Sequence, residues 1–164
     1  MKYYDIIAKS YDELHEEEQL KKVAIIRKQL KINKNTKLLD VGCGTGTSSQ
    51  FDCKVTGIDP SSELLKRGKR KYPKIKFVKA YAEKLPFEDK SFDVVVSITA
   101  IQNFNNIEKG IKEIKRVGKN QFALSFLKKS NRADKIENII IKIFDKYKIK
   151  RIEEDKDIIL IVKQ

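Results

Sequence analysis

Three glycines, Gly42, Gly44 and Gly46, alternate with Cys43 and Thr45 directly behind a short apolar run, Leu38-Leu39-Asp40-Val41. No other feature of the chain constrains its fold as much. Glycine admits positive φ and lets the backbone approach a ligand closely. An apolar run ending in such a loop reads as a buried strand turning at its carboxyl end, and a helix opening behind it offers free N–H groups to an anion. The dinucleotide fingerprint G-x-G-x-x-G does not fit. From Gly42 its third glycine falls on Thr47, and from Gly44 on Ser49. The pattern is D-x-G-x-G-x-G instead.

Short apolar runs and helical patterns alternate along the rest of the chain, as in a parallel α/β sheet. Helices are expected at 5–14 and 16–30, the second with Leu20, Val23, Ile26 and Leu30 on one face. Strands are expected at 37–41, 55–59, 75–80, 92–98, 121–127, 148–153 and 158–163, and further helices at 61–71, 106–117 and 131–147. Only a short helix, built on Ser48, Ser49 and Phe51, fits behind the glycine loop. The turn Glu154-Asp155-Lys156 is too short for a parallel crossover, so the last two strands pair antiparallel. The fold class expected is α/β: a Rossmann-like, doubly wound, seven-stranded sheet with the last strand antiparallel and helices on both faces. A length of 164 residues suits one domain, with residues 1–31 as a helical lid and 37–164 as the sheet core.

Ligands of such sheets sit at the carboxyl ends of the strands. Asp59 closes the second strand, where an acidic residue can take two ribose hydroxyls, so loop and aspartate together read as a site for an adenosine-containing ligand. The successive segments LLDVGCGTG, VTGIDPS and AEKLPFEDKSFDVVVS resemble, in order, the motifs of class I S-adenosylmethionine-dependent methyltransferases of the type 11 kind. The opening YYDIIAKSYD is similar to the cofactor lid of many small members.

The resemblance implies S-adenosyl-L-methionine as cofactor and assigns roles residue by residue. Asp40 lies near the methionine amino group, through the loop. Gly42, Cys43, Gly44 and Gly46 supply backbone around the methionine and ribose. Asp59 takes the ribose hydroxyls, with Pro60 and Ser61 beside the adenine. Ala82 offers its backbone to that ring, flanked by Tyr81 and Glu83. Ser97 lies beside the methionine part, and Tyr11 closes over the cofactor. Tyr81 departs from the family, which commonly carries an aspartate there.

The run SITAIQNF, residues 97–104, should face the transferred methyl. It resembles, more weakly, a segment of ribosomal RNA guanine-N7 methyltransferases and of wobble-uridine tRNA methyltransferases. That resemblance implies an RNA substrate and a small zinc-ribbon activator pairing with a sheet edge. Gln102 and Asn103 would then hydrogen-bond a base edge, and Phe104 would stack on one. The charge agrees in sign: 36 Lys and Arg against 23 Asp and Glu give a formal net charge of +13. Lys66, Arg67, Lys69, Arg70, Lys71, Lys74, Lys76 and Lys79 form a cluster without an acid, yet their helix runs away from the strand ends that hold the site. Abundant lysine and glutamate is also a proteome-wide signal. An RNA methyltransferase is therefore the leading expectation. A small-molecule methyltransferase of the same fold is the alternative, and a non-catalytic binding module the third reading.

Composition excludes other classes. Apolar residues at 40% are enough for one core, and no apolar run approaches the length of a membrane span. Two cysteines form neither a disulfide framework nor a four-ligand zinc site, so no metal is expected. The single histidine, His15, reads as a surface residue. A soluble, cytoplasmic protein is expected.

Overall fold

The computed structural model describes the backbone of residues 2–164 and the side chains of residues 13–164. Helix α1 (Lys2–Gln29) leads into β1 (Lys37–Val41), a single 3₁₀ turn at Thr47–Ser49, and β2 (Lys54–Asp59). Then come α2 (Ser62–Lys71), β3 (Lys76–Lys79), β4 (Phe92–Ser97), a second 3₁₀ turn at Ile101–Asn103, and α3 (Ile107–Val117). The chain ends with β5 (Gly118–Leu127), α4 (Ala133–Ile143), β6 (Lys148–Glu153) and β7 (Asp157–Lys163).

The seven strands lie in the order β3-β2-β1-β4-β5-β7-β6. β7 runs antiparallel to both β5 and β6, and β1 to β5 are mutually parallel. The order reverses between β1 and β4, so the carboxyl ends of these strands form the switch-point crevice. Neighbouring residues on a strand point to opposite faces. Leu38, Val94, Val96, Ala123, Ile159 and Ile161 therefore pack under Val23 and Ile26 of α1 and Leu30 just after it. Leu39, Val95, Phe122, Leu124, Leu160 and Val162 pack under Ile111 and Ile114 of α3 and Ile136 and Ile140 of α4. α2 lies over β2 and β3 through Leu65, which meets Phe77 and the Cys43 side chain.

Four expectations need correction. The N-terminal segment is one helix, because nothing around Leu14 breaks it and the glutamates that follow are good helix formers. Its buried stripe is rotated from the expected one: Gln19 and Lys22 are buried with Val23 and Ile26, whereas Leu20 is exposed. No α-helix follows the glycine loop. The eight residues from Gly46 to Cys53 hold only the 3₁₀ turn, and α1 covers the sheet at that place. α4 stops at Ile143, whose carbonyl accepts from Lys115 Nζ, before Phe144 and Tyr147 turn into the core. Among the described residues no helix is long and apolar enough to cross a membrane.

Candidate active site

The loop after β1 is clasped to β2: the N–H groups of Gly42 and Cys43 both donate to the Ile58 carbonyl, each at 2.9 Å. All three glycines have positive φ, at 79°, 56° and 91°. They do different work. A Cβ on Gly42 would stand 2.6 Å from the Ala100 Cβ, so this glycine permits contact with the loop after β4. A Cβ on Gly46 would meet the rings of Phe77 and Tyr72, so this glycine serves packing. A Cβ on Gly44 would meet nothing within 4 Å, which makes it the open face of the loop.

Asp59, 9% exposed, is fixed from both sides. The Gly44 N–H donates to Oδ2 at 3.0 Å and the Ser61 N–H to Oδ1 at 2.9 Å. Ser61 in turn caps α2, its Oγ accepting from the Leu64 N–H. Two acceptor sites of the carboxylate are used, of the roughly four an ionised carboxylate offers. The others face a cleft of about 540 Å³.

That cleft brings together Gly42, Asp59, Pro60, Ser61, Tyr81, Ala82, Glu83, Asn103 and Phe104 from the expected set. Tyr81 is 53% exposed at its rim. Glu83 is held by the Asn106 N–H, which donates to Oε1, and Phe104 is wedged over Gly110. Gly44 faces a second opening of about 390 Å³, shared with His15, Thr45, Thr47 and Arg67. Tyr11 lies outside the residues whose side chains are described.

The remaining expected residues stand behind these walls. Asp40 is fully buried beneath the loop. Its Oδ2 accepts from Ser48 Oγ at 2.9 Å and Ser49 Oγ at 2.6 Å, while Oδ1 has no partner. Burial without a cation raises its carboxyl to about 6, against the lowering effect of the two serine hydroxyls. The Cys43 thiol is buried between Gly57 and α2, and burial pushes its pKa far up, so it is no nucleophile. Ser97 spends its hydroxyl on the Val41 carbonyl at 2.8 Å, steadying the end of β1. Gln102 turns its amide NH₂ back to the Thr99 carbonyl, and its own Oε1 has no partner.

Thr99 and Ala100, from the run expected to face the transferred methyl, also line the cleft. Thr99 has φ +55°, and no residue pattern announces a β-branched side chain in that region. Arg132, which follows the fifth strand and reads from the sequence as a phosphate contact on this edge, instead donates its guanidinium to the carbonyls of Gln102 and Phe104 and ties the wall to the start of α4.

Comparison with known proteins places the chain. A family model described as a methyltransferase domain matches residues 39–125. A demethylmenaquinone methyltransferase of Chlorobaculum tepidum is 43% identical over 96 residues, which are 56% of this chain and 40% of that protein. The chain spans less than half the length of the curated relatives it matches most strongly. A SAM-dependent methyltransferase from Aquifex aeolicus superposes with a TM-score of 0.72 at 18% identity, over 85% of this chain and 88% of that one. A chain from the complex of the Haloferax volcanii Trm112 methyltransferase activator with a proposed methyltransferase gives 0.76 at 13% identity, over 95% and 94%.

Proposed function

The chain belongs to the methyltransferase-domain family, and from that premise we propose that it transfers a methyl group from S-adenosyl-L-methionine to a small, largely apolar organic acceptor. The family and the fold imply that cofactor. One observation supports the proposal above the others: Gly42 after β1, Asp59 at the end of β2 and Ala82 after β3 line a single cleft. The residues fit the cofactor. Asp59 retains acceptor sites for two ribose hydroxyls. Gly44 leaves the loop surface open. Asp40 Oδ1 is a buried acceptor without a donor, and its carboxyl lacks the cation that a methionine ammonium would provide through the loop.

When bound, the cofactor supplies a methyl group on a sulfonium centre. An acceptor methylated there would have to give up a proton to a base on the cleft wall. The chain contributes position. Asp59 holds the ribose, and the apolar wall of Ile58, Ala82, Ala100 and Phe104 excludes water and seats an apolar acceptor. Of the two carboxylates on the cleft wall, Asp59 is held by two N–H groups and Glu83 by one, so Glu83 is the better placed to take the released proton.

The RNA substrate expected from residues 97–104 finds no support among the relatives, which include demethylmenaquinone and ubiquinone/menaquinone methyltransferases. Nor is Gln102 on the cleft wall, where a base-reading side chain would have to be. The zinc-ribbon activator stays a proposal. The likeness to a chain of the Trm112 complex is one of fold, and co-purification tests it. The acceptor is tested with methyl-labelled cofactor, offering a reduced demethylmenaquinone in parallel with unmodified ribosomal and transfer RNA. Label in the organic phase is expected. Nuclease-sensitive label on RNA, with none in the organic phase, would replace this acceptor class.

A further inference from the structure

Lys22 lies on the buried stripe of α1, yet its ammonium is the most deeply placed charge of that helix among the described residues, 2% exposed. It donates to Asp157 Oδ1 at 3.0 Å and to Thr99 Oγ1 at 2.9 Å. Thr99 Oγ1 donates to Asp157 Oδ2 at 2.6 Å, which closes a three-membered network of α1, the start of β7 and the loop after β4. Asp157 is fully buried. Just outside, Lys156 donates to Glu18 at 2.6 Å, a second tie between α1 and the β6–β7 turn.

A buried ion pair is a poor device for stability. Desolvation offsets most of the attraction, and apolar residues of similar size usually serve as well. This pair is instead joined to the most constrained residue of the cleft. Thr99 is β-branched at φ +55°, a conformation that persists only where its surroundings impose it. Its N–H is held by Ser125 Oγ at 2.9 Å and its carbonyl by the Gln102 amide at 2.8 Å. The next residue, Ala100, abuts Gly42, and Asn103 and Phe104 follow on the same wall.

We propose that Lys22 and Asp157 are positioning residues, which hold Thr99 in its left-handed turn and thereby set the wall of the cleft from Thr99 to Phe104. The proposal rests on the reading of that cleft as the cofactor site. Neither residue lines the cleft, so each acts only through Thr99.

The test is calorimetric binding of S-adenosylhomocysteine to the full chain. Lys22→Met with Asp157→Leu removes both charges together, so no unpaired ion is left buried. The double variant is expected to keep its circular dichroism spectrum and bind at least about tenfold more weakly. Adding Thr99→Gly, which adopts positive φ without strain, is expected to recover about threefold or more of the loss. A merely structural role for the pair would not be relieved there. Affinity within about twofold of wild type in the double variant, or a loss that Thr99→Gly does not relieve, overturns the proposal. Should the double variant fail to fold, Thr99→Val severs the hydroxyl link and keeps the charges paired. It is expected to weaken binding about threefold or more, and unchanged binding is again the contrary result. Wild type that binds no S-adenosylhomocysteine defeats the cofactor reading itself.

Discussion

Asp40 bears a charge that the free protein does not neutralise. Its carboxyl is raised to about 6 by burial, from an ordinary value near 3.8. A carboxyl with a raised folded-state pKa favours the protonated folded state. Its stabilising proton is present below about pH 4 and lost as the pH rises to about 6, at a cost of about 3 kcal/mol. Asp40→Asn has no such proton to lose and still accepts from Ser48 and Ser49. The stability of this variant relative to wild type should therefore rise by a few kcal/mol between pH 4 and 6 and level off above, as read by urea unfolding across pH. Gly42 is a second single-residue test. With φ +79° and only 2.6 Å to the Ala100 Cβ, Gly42→Ala should cost about 2–3 kcal/mol in the same measurement. Gly42 and Asp59 were legible in the sequence because a loop after a buried strand and the end of the next strand favour such residues, and Asp40 through the resemblance its segment carries. The left-handed turn at Thr99 and the pairing of Lys22 with Asp157 were not. Strain at one φ and an ion pair separated by 135 residues leave no local pattern.

Elements were legible wherever apolar period and capping chemistry coincided. The cap of α2 by Ser61 follows from residue type, as does the cap of α3, where Asn106 Oδ1 accepts from the Lys109 N–H at 3.0 Å. Asn106 works twice, since its N–H also holds Glu83 at the cleft wall. Asn106→Ala removes the cap and keeps the N–H. It should lower stability by about 1 kcal/mol in thermal or urea unfolding while leaving cofactor affinity within about twofold. Failures arose where tertiary packing overrode local preference. α1 runs through as one helix and turns Gln19 and Lys22 inward, against the hydropathy pattern, because Lys22 has a buried acid and hydroxyl to meet. The segment behind the glycine loop is too short for a helix of its own, and α1 covers the sheet there instead.

At the scale of the whole molecule, the doubly wound sheet and its antiparallel last pair could be expected from alternation and from the short β6–β7 turn, whereas the place of β7 between β5 and β6 leaves no local pattern; the carboxyl ends of β1, β2, β3 and β4 converge as the observed order requires. What the order does not convey is depth. Asp40, Cys43 and Ser97 were expected near the site, and the order could not say that they stand behind the wall, Asp40 bonded to Ser48 and Ser49 and Ser97 to the Val41 carbonyl. The net charge of +13 was read as a sign of RNA, yet the cluster at Lys66 to Lys79 lies on the exposed side of α2 and on edge strand β3. Lysines on a sheet edge also prevent unwanted pairing with other strands. The proposed function makes the cleft at these strand ends the cofactor site. The most direct measurement is isothermal titration of S-adenosyl-L-methionine into wild type and Asp59→Ala. One site per chain is expected, weakened at least about tenfold (~1.4 kcal/mol) in the variant with its circular dichroism unchanged. Equal affinity in both proteins, or no binding to wild type, would contradict the assignment of the cleft.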